Sequence, residues 1–160
     1  MSQFSLDLSA YIAKAKANID IVTRVAILDV GKRLVERSPV GDGRLWKSPP
    51  PPGYVGGRFR GSWDASVDAP PSAMLRTIDP TGAASNGRIF AAVPDKASGK
   101  VYYIVNNTPY AQTLEQGHST QAPFGMVALT VVEWRNIVDD AVNKNRGSGS
   151  MADGLKAYPV

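Results

Sequence analysis

The chain has no cysteine and a single histidine. Without thiols it has no disulfide, no thiolate nucleophile and no cysteine-based zinc site. That composition is compatible with a reducing compartment. The lone histidine, His118, lies in a loop-like stretch with no second histidine at helical spacing, so a histidine metal site has nothing to build on. Neither sign of charge dominates: 18 basic and 14 acidic residues leave a net charge of +4. No basic stripe of the kind a dedicated nucleic-acid binder carries stands out. No apolar run approaches the roughly 20 residues that span a bilayer, so no membrane partner is expected. Residues 1–7 lack the basic and apolar regions of a secretory signal. The expectation is a protein made in a cytoplasm and kept there until it joins something larger.

What is present allows a core. Hydrophobic residues make up 43% of 160 positions, enough for one domain with one extended appendage. Leu8, Ile12, Ala15, Ile19, Val22, Ala26, Val30 and Leu34 recur at three- and four-residue steps, which predicts a helix over residues 7–37. Asp20 with Arg24, and Asp29 with Arg33, are acid-before-base pairs one turn apart. Pro39 disfavours helical geometry at Ser38, so the helix ends there. Its length, about 45 Å, is long for so small a domain. One end is expected to project or to be covered by a neighbouring subunit.

A turn cluster, Ser38-Pro39-Val40-Gly41-Asp42-Gly43, follows. Then come Trp46, the run Pro49 to Pro52, and Tyr54. Consecutive prolines favour polyproline II, so residues 44–57 read as an arm or extended loop. Alternation of Trp63, Ala65 and Val67 with Asp64, Ser66 and Asp68 predicts a strand. Met74 to Ile78 are a further strand candidate, and residues 83–93 allow a short helix. Val101 to Val105 carry large β-formers on both faces, which predicts a strand buried on both sides. Thr108 to Gly117 form a compact unit with an N-cap, a proline at the first helical position and a glycine stop. Val127, Val131, Trp134, Val138 and Ala141 predict a second long helix over residues 124–145. Residues 1–146 thus read as one α+β domain, and residues 147–160, rich in Gly and Ser, as a flexible tail.

Catalytic signals are sparse. No Gly-x-Ser-x-Gly elbow occurs. Gly99-Lys100 is followed by Val101 rather than Ser or Thr, so no phosphate loop is formed. No cofactor and no metal site are expected, and the chain does not read as an enzyme. Arg44, Lys47, Arg58 and Arg60 bracket the proline run, with Trp46, Tyr54, Phe59 and Trp63 interleaved. This is the one cluster suited to nucleic acid. A solvated loop with aromatic anchors in the core or at a protein interface is the favoured reading of the same residues.

The order of motifs carries a resemblance. A long amphipathic helix leads into Ser38-Pro39-Val40-Gly41-Asp42-Gly43. Later come Tyr110-Ala111, Leu114-Glu115-Gln116-Gly117, and Ala122-Pro123-Phe124 ahead of a final helix. This order resembles the minor tail and neck proteins of long-tailed bacteriophages: tail-completion, tail-terminator or head–tail joining proteins. Arg58-Phe59-Arg60-Gly61-Ser62-Trp63 looks like the arginine–aromatic part of that turn motif, displaced by the insertion Arg44 to Gly57. The resemblance implies an α+β fold, with a small, mostly antiparallel sheet on two long helices. It implies rings, commonly hexamers, at the head–tail junction of the virion, with other neck and tail proteins as partners and no catalytic residues. Trp46, Tyr54, Arg58, Arg60, Trp63 and Glu115 are the interface candidates, and Glu115 is expected to pair with Arg58 or Arg60 within or between chains. Pro39, Gly41, Gly43, Tyr110, Gly117 and Pro123 are assigned to turn geometry first. The alternative function is a DNA-contacting accessory module of the particle.

Overall fold

The structure, a computed structural model, describes residues 3–45 and 48–147. Helix α1 spans Gln3–Arg37, so the expected helix extends a further turn toward the N-terminus. At 1.5 Å per residue its 35 residues reach about 52 Å. It stops where Pro39 requires, and its last carbonyls are satisfied. The Ser38 hydroxyl donates to Leu34 O at 2.7 Å. The Arg60 guanidinium donates to Ser38 O at 2.7 and 3.1 Å and to Glu36 O at 3.1 Å.

Strand β1 (Trp63–Val67) pairs antiparallel with β2 (Tyr102–Asn106), Trp63 facing Asn106 and Val67 facing Tyr102. The alternating pattern placed β1 correctly. Strand β2 is half-buried along its length rather than buried on both faces, because only one other strand flanks it. Met74 to Ile78 form no strand.

Helix α2 (Ala83–Ala92) lies where a short helix was expected. Asp79 nucleates it: its carboxylate accepts from Gly82 N at 2.8 Å, Thr81 Oγ1 at 2.8 Å and Ser85 N at 3.2 Å. Burial raises the pKa of that carboxyl, but these donors outweigh it and hold it below its ordinary value. Arg88 ties α2 to β1 by donating to Gly61 O at 2.6 Å and Trp63 O at 3.0 Å. Helix α3 (Ala111–Glu115) occupies the compact unit but starts after Tyr110, so Thr108 and Pro109 belong to the preceding turn rather than to its cap and first residue.

The second long helix does not form. It is divided into α4 (Val127–Val132) and α5 (Trp134–Gly147). Thr130, Val131 and Val132 are consecutive β-branched residues, which hold a helix weakly. Glu133 at the junction is held by α1: Arg33 Nη1 lies 2.5 Å and Arg37 Nη2 2.7 Å from its carboxylate. These pairs tie the junction between α4 and α5 to the C-terminal end of α1. The molecule is therefore α+β with one long helix, five helices in all and a two-stranded sheet among the described residues.

Two clusters form the core. Leu28, Leu34 and Val35 of α1 pack with Phe59, Trp63, Ile89 and Met126. Val25 and Ala26 pack with Ile137 and Ala141 of α5. Both clusters use the C-terminal part of α1, from Ile21 onward. Asp29 and Arg33 form their expected ion pair at 3.2 Å. Asp20 and Arg24 do not. Asp20 instead accepts from Ser98 N at 2.8 Å, and Arg24 bonds Asp95 at 2.6 Å and covers the Phe90 ring. The proposed C-terminal tail, apart from Gly147 at the end of α5, lies outside the described residues.

Candidate functional site

The turn after α1, the proline loop and the α3 unit converge on one groove of about 540 Å³. Pro39 to Asp42 form one wall, Tyr54, Arg58 and Phe59 the floor and side, and Tyr110, Leu114 and His118 to Gln121 the other wall. Gln121 clamps the walls together. Its side-chain carbonyl accepts from Val40 N at 2.9 Å, and its amide donates to Val40 O at 2.8 Å. Neither the sequence spacing nor any motif marked Gln121, because its partner lies 81 positions away. His118 uses Nδ1 toward Thr113 O at 3.0 Å.

Of the interface candidates, Tyr54 and Arg58 line this groove and are exposed. Among the described residues Arg58 has no acidic partner, and its positive charge works against the burial that raises the Tyr110 phenol pKa. Trp46 lies outside the described residues. Trp63 is 3% exposed and belongs to the core, with its indole N–H on Ser38 Oγ at 2.6 Å. Arg60 is committed to the α1 carbonyls and to Pro80 O. The proline loop does not reach away from its own chain. Pro50 and Tyr54 close over Gly43 and Gly41, where a Cβ would collide with their side chains.

Glu115 does not pair with Arg58 or Arg60 within the chain. Its carboxylate accepts from the backbone N–H of Met126 at 2.9 Å, Val127 at 3.0 Å and Ala128 at 2.8 Å. An anion at the start of a helix meets unpaired donors and the positive end of the dipole. Burial pushes this carboxyl pKa up, and the three donors bring it below its ordinary value. Glu115 looked misplaced at the end of α3; it is the cap of α4.

Gly117 closes the same corner. It has φ +85, and a Cβ there would lie 2.5 Å from Pro123 O. Gly53 has a similar φ of +75 but open space around it. Gly117→Ala is expected to cost about 2–3 kcal/mol, and Gly53→Ala about 1 kcal/mol, since only the first adds a backbone clash to the conformational strain. Paired thermal melts measure the difference.

Two apolar surfaces lie outside the groove. On α1, Phe4 is 74% and Tyr11 72% exposed, with Leu8, Ile12 and Ile19 also uncovered. Around α4, Phe124 is 73% and Val132 82% exposed, with Val127, Val131 and Trp134 beside them. The projecting helix end expected from its length is therefore present, and it is apolar. Among the described residues no group of acidic or histidine side chains gathers to hold a metal, and no helix is long and apolar enough to cross a membrane. No protein-family model, curated protein or solved structure matches the chain.

Proposed function

We propose that the chain is a structural subunit of a long-tailed bacteriophage virion that works by assembly and makes or breaks no covalent bond. In this reading it is a tail-completion or tail-terminator protein that forms a ring, a hexamer by its resemblance, and joins tail to head. The host cytoplasm is where it assembles, and the neck is where it resides.

One observation carries the reading: the N-terminal half of α1 presents large apolar side chains that nothing among the described residues covers. Contiguous apolar surface of this extent marks an interaction site. The motif order that resembles neck proteins supplies the setting. The groove around Arg58 and Tyr54 is a second contact surface, suited to a polypeptide from another neck or tail component. The DNA-contacting alternative has less to rest on. Of the basic cluster, Arg60 is turned to backbone carbonyls and Arg44 is paired with Asp42 at 2.7 Å.

Removing the chain from the infected cell tests the proposal. Electron micrographs of the lysate are expected to show separate heads and tails, with joining restored by the chain supplied in trans. Intact infectious particles that contain no copy of it would overturn the proposal.

A further inference from the structure

This inference rests on the assembly reading and names the surfaces that meet. We infer that the uncovered apolar face of α1 in one copy docks on the exposed apolar patch around α4 in the next copy, head to tail.

The position of the two surfaces is the first argument. Arg37, the last residue of α1, bonds Thr130 Oγ1 at 3.1 Å and the Glu133 carboxylate at 2.7 Å. The α4 patch therefore sits at the C-terminal end of α1. Tyr11 lies about 39 Å back along the same rigid helix. The described part of one chain cannot bring these surfaces together, and both stand open to another molecule. A contact between two different surfaces is heterologous, and repetition closes a ring or extends a filament. A symmetric pairing of two α1 helices would leave the α4 patch in water; the head-to-tail contact covers both.

Area and shape agree. Each surface presents five large side chains, between about two-fifths and four-fifths exposed. That amounts to roughly 500 Å² a side, or about 1,000 Å² together, the lower bound for a specific interface. Leu8, Ile12 and Ile19 line up along one face of α1, and Val127 and Val131 stand one turn apart on α4, with Phe124 in the turn before it and Trp134 at the start of α5.

The experiment uses the full chain and two single substitutions, Tyr11→Glu and Val131→Glu. Both positions are exposed, and circular dichroism melts check that each variant folds as the wild type does. Light scattering after size exclusion reads the mass. The wild type is expected to form a higher oligomer. Each variant alone is expected to self-associate at least about a hundredfold more weakly, because a buried carboxylate has no partner. Mixed in equal amounts they are expected to form a complex of one copy each and to stop there, because each retains the face the other has lost. A mixture that stays monomeric overturns the inference. So does a Val131→Glu chain that still associates, which would indicate symmetric α1 pairing, or a wild type that is monomeric at every concentration. Wild-type oligomers indifferent to both changes defeat this contact and leave the assembly reading standing. Particles that join without the chain defeat the assembly reading itself.

Discussion

Replacing Trp63 by alanine is expected to destabilise the protein by about 3–5 kcal/mol, the range for deleting a large buried aromatic. The ring sits between the sheet and α1, edge-on to Phe59 with centroids 6.1 Å apart. Phe59 in turn lies 6.0 Å from Tyr110, so the loss propagates toward the groove. The substitution leaves a cavity that the rigid ends of α1 and α2 cannot close. Trp63→Phe keeps most of the packing and removes the 2.6 Å bond to Ser38 Oγ. Ser38 still donates to Leu34 O, so the expected loss is only about 1–2 kcal/mol. Urea denaturation of the three chains measures both. A loss below about 1 kcal/mol for the alanine variant would contradict the burial seen here.

Glu115→Ala carries the second large effect, about 2–3 kcal/mol, because three backbone donors lose one charged acceptor. Glu115→Gln retains an oxygen but no charge, so it should lose about half as much. The same group contributes to acid sensitivity. Its pKa lies below the ordinary 4.5 in the folded chain, and that of Asp79 below 3.8. Between the depressed and ordinary values the unfolded chain binds more protons than the folded one. Stability from these carboxylates is thus complete above the ordinary values and declines as pH falls through the depressed ones. The melting temperature should hardly respond to these two groups above about pH 5 and should fall below about pH 4.5. In Glu115→Gln the decline should be shallower. An identical acid decline in both chains would show that Glu115 does not carry it.

Helix α1 and strand β1 were readable because their signal is local: apolar residues at helical steps, and Trp63, Ala65 and Val67 alternating with polar neighbours. That alternation had already put Trp63 on the apolar side. The arginine–aromatic run around it points to an interface instead, and the fold places it in the core. The groove was partly legible, since the Pro39 and Tyr110 turns were both marked, but nothing showed that they face each other. The second long helix that the sequence predicts is two shorter ones. Its periodicity continues through Glu133, whereas the partners that engage this residue, Arg33 and Arg37, lie about a hundred positions away.

The amino-acid sequence by itself determined helix α1, strand β1 and the turns at Pro39 and Gly117, and that one helix would outrun its domain. Those properties depend on neighbours within a turn or two. The fold decided which group each charge answers to. Glu115 went to the start of α4, Arg60 to the end of α1, and Glu133 to two arginines of α1. A carboxylate or guanidinium takes whichever complementary group the packing brings within about 3 Å, and only the packed chain sets that distance.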